Sequence, residues 1–208
     1  MFGIVHYEMF LLAGIILNLT PGPDTIYVLS RSISQGHRAG IYSALGISTG
    51  GLVHTLLAAL GLSVILAQSY FIFTIIKIAG ACYLAYLGIT TLLAKDSTLV
   101  SSNGEAMSNQ DLYLQGLLTS VLNPKVALFF LSFLPQFIVL ENSYGILPFI
   151  LLGVTFVTTG TLWCLLLVFF SSGMTNFLRQ RSRATHMMNK VCGGIYLLLG
   201  VKILTVER

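Results

Sequence analysis

The chain has 208 residues, 55% of them hydrophobic and 9% charged, with a formal net charge of +4 and a mean hydropathy of +0.87. A soluble domain carries about 25% charged residues, so this composition excludes an ordinary soluble enzyme and describes an integral membrane protein. The positive charge is too small and too dispersed to suggest nucleic acid, and it fits cytoplasmic loops between membrane spans.

Six apolar spans are expected. The first runs from about Tyr7 to Ser30 and is interrupted by Asn18-Leu19-Thr20-Pro21-Gly22-Pro23-Asp24. The nine uncharged residues Met9 to Leu17 precede it; at 1.5 Å per residue they cover about 14 Å of helix. That places the interruption near the middle of a hydrocarbon core about 30 Å thick. Each proline lacks an N–H, so helical carbonyls at Leu17 and Leu19 are expected to lose their donors. Backbone polar groups are not left bare against lipid, so the interruption must face protein, water or a substrate.

Arg31 to Arg38 reads as a short basic loop, followed by a second span over about Ile41 to Leu66. On that span Ser43, Gly46, Gly50, Gly51, His54, Ala58 and Gly61 recur at three- and four-residue spacing, a stripe on which another helix can pack closely. The turn Gln68 to Tyr70 leads into a third span over about Phe71 to Ala94. Lys95 to Asp111 is the longest hydrophilic stretch and reads as a loop. The fourth span covers about Tyr113 to Leu140 and contains Asn123-Pro124-Lys125. A turn at Glu141 to Tyr144 precedes the fifth span, about Gly145 to Phe170. Arg179, Arg181 and Arg183 form a second basic loop before the sixth span, about Met187 to Val206.

Arg31, Arg38, Lys95 and the three arginines of the fifth loop fall on one side, and the alternate loops contain no Lys or Arg. The positive-inside rule then puts both termini outside the cytoplasm. The N-terminus has no basic region and no clear cleavage site, so the first segment is expected to stay as a membrane helix.

The third span contains Lys77-x-x-Gly80-x-x-Tyr83-Leu84, and the sixth contains Lys190-x-x-Gly193-x-x-Tyr196-Leu197. The first and fourth spans each pair an asparagine with a proline interruption. The expected fold is therefore an all-α integral membrane protein: six transmembrane helices as a 3+3 inverted repeat with broken first and fourth helices. It is one transmembrane domain over 1–208, with repeat one at about 1–94, the hydrophilic loop at about 95–111 and repeat two at about 112–208. Secondary transporters use this architecture, with the substrate held near the midplane where the broken helices meet.

Helix restarts at the two interruptions, with Thr20 and Asn123 as caps and Pro21 and Pro124 at the first helical positions, would aim free N–H groups and positive dipole ends at the midplane. Such ends attract a carboxylate. Lys125 adds a cation and Asp24 an anion, a combination suited to a zwitterionic amino acid. Charge at the bilayer centre costs at least about 2.5–3.5 kcal/mol per residue and usually marks a pathway; the bland reading is an ion pair that fixes packing. Asp24 is also a candidate proton carrier. His54 is a candidate proton relay, against the simpler reading of a histidine bonded to a neighbouring helix. Lys77 and Lys190 read as snorkelling to the headgroups. Thr155, Thr158, Thr159 and Thr161, with Gly153 and Gly160, read as packing positions, with lining of the path as the alternative, and Trp163 and the tyrosines as packing or interface anchors rather than ligands.

Cys82, Cys164 and Cys192 lie in apolar segments with no Cys-x-x-Cys pair, so neither a disulfide framework nor a metal site is indicated, and no cofactor is expected. A carrier of metal or other small ions, the alternative function, would need several acidic, Cys or His groups, and only Asp24 and His54 are available. An intramembrane serine hydrolase would need a nucleophile on a sharp turn with a base in reach, and no such turn is expected, so the chain does not read as an enzyme.

Asn18 to Asp24 resembles the Pro-Gly-Pro signature of the lysine-exporter (LysE) superfamily, in its homoserine/threonine-resistance branch. Leu122-Asn123-Pro124-Lys125 is similar to that family's second signature, and Gly80-x-x-Tyr83-Leu84-x-x-Leu87-Gly88 to its third-helix pattern. The resemblance covers essentially the whole chain. It implies export of amino acids across the bacterial inner membrane, driven by the proton gradient, and it carries over to Pro21, Gly22, Pro23, Asp24, Asn123, Pro124 and Lys125. The expected substrate site thus comprises Asn18, Thr20, Pro21, Gly22, Pro23, Asp24, Asn123, Pro124 and Lys125. The expected partners are a neutral amino acid of the homoserine, threonine or leucine kind, protons and the lipid bilayer, with room left for a homo-oligomer.

Overall fold

The computed structural model describes residues 2–62, 107–139 and 143–171 continuously, with isolated helical residues between 74 and 93 and between 190 and 201. Apart from those isolated residues, the third and sixth expected spans, both copies of the repeat motif, the loop 95–106 and the arginine loop 179–183 lie outside the described residues.

The described chain is helical. α1 is Tyr7–Leu19, α2 Pro23–Gln35 and α3 His37–Leu57, which continues as a π-helical turn over Ala58–Leu62. α4 is Asn109–Val121 and α5 Pro124–Leu128, extended by a π-helical turn, Phe129–Phe133, and a 3-10 turn, Leu134–Phe137. α6 is Leu147–Phe169. Among the described residues the extended structure is one isolated bridge, Ile4 with Ile138.

Two expected boundaries are corrected. Arg31 to Arg38 is not a loop: α2 and α3 are separated by Gly36 alone, whose φ of +84° suits glycine and turns the chain in one residue. The polar residues there are held by neighbours, with Arg31 Nη2 donating to Gln115 Oε1 at 3.1 Å and its guanidinium 5.7 Å from the Tyr27 ring centre. The fourth span begins at Asn109 rather than Tyr113. Ser108 caps it, accepting from Asp111 N–H at 3.2 Å and donating to Asp111 Oδ2 at 2.6 Å.

α3 is the centre of the packing, with its largest contact against α4 and the next against α6. Ser43, Gly46, Ile47, Gly50, Gly51, His54 and Ala58 are all buried. A Cβ on Gly46 would run into Tyr113 O, and one on Gly50 would lie 2.6 Å from Ser120 Cβ. Gly116 answers from α4, where a Cβ would lie 2.6 Å from Ser43 O. Small residues on both partners let the backbones approach this closely. Gly61 is the exception to the expected stripe: among the described residues it is exposed with nothing within 4 Å of a Cβ placed there, because the π-helical turn rotates it off the face.

Hydrogen bonds fix the directions of the two interrupted pairs. Met107 N–H donates to Gln35 Oε1 at 3.1 Å, joining the end of α2 to the start of α4. Val5 N–H donates to Phe137 O at 2.9 Å and Val139 N–H to Gly3 O at 2.8 Å, joining the approach to α1 to the end of the α5 segment. The α1–α2 and α4–α5 pairs therefore run in opposite directions. Phe10, Phe129, Phe130, Phe133, Phe137 and Phe156 fill the space at the second of these ends.

His37–Gly61 and Leu147–Phe169 are long and apolar enough to cross a membrane. The pairs Tyr7–Leu19 with Pro23–Gln35 and Asn109–Val121 with Lys125–Phe137 pass the same test jointly and are bent by 50° and 47°. Leu45, Leu52, Leu56 and Leu60 form an exposed stripe on α3, and Leu114, Leu118 and Leu122 another on α4. Outward leucine stripes of this kind have a solvent in lipid tails and none in water.

Candidate functional site

The two interruptions meet. α1 closes at Thr20, whose N–H (3.0 Å) and Oγ1 (2.8 Å) both donate to Ile16 O. α2 restarts with Gly22 as its cap and Pro23 in its first turn, and Ile26 N–H donates to Gly22 O at 3.0 Å. Thr20 and Pro21 thus end the first helix instead of capping the second, which corrects the expected restart. The Thr20 hydroxyl finds its acceptor one turn back, and Pro23 supplies the preset φ that a first helical position wants. At the other interruption Asn123 Oδ1 accepts from Lys125 N–H at 3.0 Å, with Pro124 at the first helical position.

Lys125 ties the two together. Its Nζ donates to Leu17 O and to Thr20 O, each at 3.0 Å, and the residue is 9% exposed. Leu17 O is a carbonyl that Pro21 deprives of its helical donor. The C-terminal end of α1 also carries partial negative charge, which favours a cation. Gly22 makes room for this contact: a Cβ there would stand 3.1 Å from Lys125 Nζ.

Asp24 lies in the first turn of α2, at the positive end of that helix. Its Oδ1 is buried with no hydrogen-bond partner among the described residues, as is Asn123 Nδ2. Lys125 and His54 are the cationic or titratable groups nearest the Asp24 carboxyl, and the Asn123 amide lies near it without making a hydrogen bond to Oδ1. Asn18 braces α1 against α6, its Nδ2 donating to Thr159 Oγ1 at 3.1 Å and to Phe156 O at 3.4 Å. Gly160 permits this approach, since a Cβ there would lie 3.1 Å from Asn18 Oδ1.

Around these groups is a cavity of about 40 Å³, room for a few waters. Asn18, Asp24, Ser48, Lys125, Thr161 and Trp163 give it polar wall, and Ile47, Val126, Phe156 and Val157 give it apolar wall. Of the expected site residues, Asn18, Asp24 and Lys125 are on that wall. Thr20, Pro21, Gly22, Pro23 and Asn123 shape the interruptions behind it, and Pro124 stands in the chain between Asn123 and Lys125.

His54 is buried between α3 and α4. Its Nε2–H donates to Ser120 O at 3.2 Å and its ring stacks on Phe130, with centroids 5.7 Å apart. It is not on the cavity wall. Gly46-Ile47-Ser48-Thr49-Gly50 has the spacing of a hydrolase nucleophile turn, but it lies inside α3, and Ser48 Oγ donates to Ala44 O at 2.8 Å and pairs with Thr161 Oγ1 at 2.7 Å. Among the described residues no three His, Cys, Asp or Glu side chains converge as a metal site would require. Thr161 and Trp163, read from the sequence as packing or anchor positions, join the wall with Ser48, Ser120 and Cys164, which carried no functional reading. The signal for them is spatial, since α3, α4 and α6 bring together positions far apart in the chain.

Compared with known proteins, the LysE type translocator profile matches residues 15–207. The chain belongs to the LysE type translocator family. An uncharacterized membrane protein of Bacillus subtilis (strain 168) is 34% identical over 88% of this chain and 91% of its own length. An uncharacterized membrane protein of Pseudomonas aeruginosa is 30% identical over 98% of this chain and 96% of its own. The leucine efflux protein of Salmonella typhimurium (strain LT2) is 26% identical over 99% of this chain and 98% of its own. No solved structure matches. This LysE translocator is thus a membrane transporter, and its paired helix interruptions fall within the matched region.

Proposed function

We propose that this LysE translocator exports neutral amino acids from the cytoplasm in exchange for protons. The observation that carries this reading is the cavity where two antiparallel interrupted helix pairs meet, with a carboxylate and an ammonium on its wall. The leucine efflux relatives match along nearly their whole length and agree with it. In this reading each bent pair is one broken span, and the described helices belong to a 3+3 inverted repeat whose two halves are about 1–94 and 112–208. Both termini then lie outside the cytoplasm, and the end carrying Arg31 and Arg38 faces inward.

Asp24 receives the substrate ammonium or, in the empty carrier, the proton. The starts of α2 and α5, with Lys125, supply positive potential for the carboxylate. Asn18, Thr20, Pro21, Gly22, Pro23, Asn123 and Pro124 hold this geometry, and His54 modulates Asp24 from behind the wall. Ile47, Val126, Phe156 and Val157 offer the substrate side chain an apolar surface, which suits a neutral aliphatic residue over a basic one. At about 40 Å³ the cavity is contracted, so loading requires the outward or inward side to open.

Counterflow of radiolabelled amino acids in proteoliposomes tests this. The wild type is expected to exchange leucine and related neutral amino acids. Asp24→Asn, which keeps an acceptor for the ammonium but removes the charge and the proton site, is expected to weaken counterflow and to abolish accumulation driven by a pH gradient. If no amino acid moves while a metal ion does, the exporter reading fails and an ion carrier replaces it.

A further inference from the structure

Four buried polar side-chain atoms lack a hydrogen-bond partner among the described residues: Asp24 Oδ1, Ser43 Oγ, Asn123 Nδ2 and Trp163 Nε1. Buried indole N–H groups ordinarily find an acceptor, and each exception in a folded protein calls for an explanation. Two of the four residues, Asp24 and Trp163, line the same cavity. One of the two orphaned atoms is an acceptor and the other can only donate. They do not satisfy each other. A molecule that places a donor at one and an acceptor at the other would satisfy both, and an α-amino acid carries that pair on one carbon.

We propose that Trp163 is a substrate-recognition residue, its indole N–H donating to the carboxylate of the amino acid whose ammonium Asp24 accepts. This deepens the exporter reading and rests on it. Lys125 is already engaged with Leu17 O and Thr20 O, so it contributes field at the carboxylate while the directional hydrogen bond comes from Trp163. Trp163 sits on α6 beside Cys164 and two residues after Thr161, which pairs with Ser48. Substrate bound there would touch α2 through Asp24 and α6 through Trp163, adding a polar link between two helices that already pack through Val28, Cys164 and Val168. Charge selection and side-chain selection would then be divided, the first given by Asp24 and Trp163 and the second by Phe156, Val157 and Ile47 on the apolar wall.

Trp163 is the chain's single tryptophan, so its emission reports on this position in the unmodified protein. Leucine is expected to shift the emission of the wild type, saturating at the concentration that half-saturates leucine counterflow. 3-Methylbutylamine, which is leucine without its carboxylate, is expected to compete for transport without producing that shift. Trp163→Phe keeps the ring and removes the donor. A hydrogen bond to a charged group is worth about tenfold or more in affinity, so the half-saturating leucine concentration should rise about tenfold or more while that of the amine stays where it was.

Three results would overturn the inference: an emission spectrum indifferent to leucine in a protein that transports it, an unchanged leucine affinity in Trp163→Phe, or equal losses for leucine and the amine, which mark a role in packing alone. A wild type that moves no amino acid at all would instead remove the exporter reading.

Discussion

At the scale of the single residue, Gly22 and Lys125 define the site. The backbone at Gly22 is extended, with φ −157° and ψ −176°, a conformation open to any residue, so the requirement for glycine there is one of space. A Cβ would stand 3.1 Å from Lys125 Nζ and 3.4 Å from its Cε. The Lys side chain is flexible enough to yield a few tenths of an ångström, so Gly22→Ala is expected to retain most transport. Gly22→Val adds two further carbons against the same ammonium and is expected to cost about 1–3 kcal/mol through overpacking. Thermal unfolding in detergent and counterflow, measured on both variants, should show this graded order; equal behaviour of Ala and Val would place the Lys125 contact elsewhere. The sequence made Asp24 and Lys125 conspicuous, because charge within apolar spans is costly. It did not show that the Lys125 ammonium spends two donors on α1, since the need for them arises from where a carbonyl points after Pro21. Trp163 was illegible for the opposite reason: an aromatic residue in an apolar helix is ordinary until its N–H is found without an acceptor.

At the scale of the element, α3 organises the packing through its small face. Lipid tails are as apolar as leucine, so helices in a membrane associate through close contact and hydrogen bonds. Gly46 and Gly50 of α3 lie directly against the α4 backbone, and Tyr113 Oη–H donates to Thr49 Oγ1 at 2.9 Å along the same seam. Gly46→Val is expected to separate α3 from α4, lowering the unfolding temperature and abolishing counterflow. Gly61→Ala, whose Cβ meets none of the described residues, is expected to match the wild type. A tolerated Gly46→Val would show that the seam is looser than the contacts imply. The three- and four-residue spacing made this stripe readable from Ser43 to Ala58, because a helical period is a local property. Gly61 was misread because a π-helical turn changes that period, and nothing in Ala58 to Leu62 announces it. The one-residue joint at Gly36 was likewise hidden: the flanking Arg, Ser and Gln residues look like loop in composition and are held in helices by partners on α4 and within α2.

At the scale of the molecule, the opposed directions of the α1–α2 and α4–α5 pairs are set by hydrogen bonds at both ends of the bundle. If the two halves form the proposed inverted repeat, rocking of one against the other would open and close those ends in turn. Cysteines replacing Tyr7 and Thr155, whose hydroxyls meet at 3.3 Å, are therefore expected to arrest counterflow when bridged by a reducible bifunctional reagent and to release it on reduction. Cross-linked protein that still transports would show that this end does not move. The scarcity of charge had already pointed to the membrane, since composition is a sum over many residues and survives errors at any one. The grip of Lys125 on Leu17 O and Thr20 O has a mechanical meaning beyond binding. An ammonium that replaces two missing backbone donors cannot let go without stranding bare carbonyls in a low-dielectric interior. In the proposed exporter this would pin the middle of the bundle where its two halves cross and leave motion to the ends. Lys125 would then act as a fulcrum: the lever arms on either side swing, and the load sits beside the pivot where displacement is smallest.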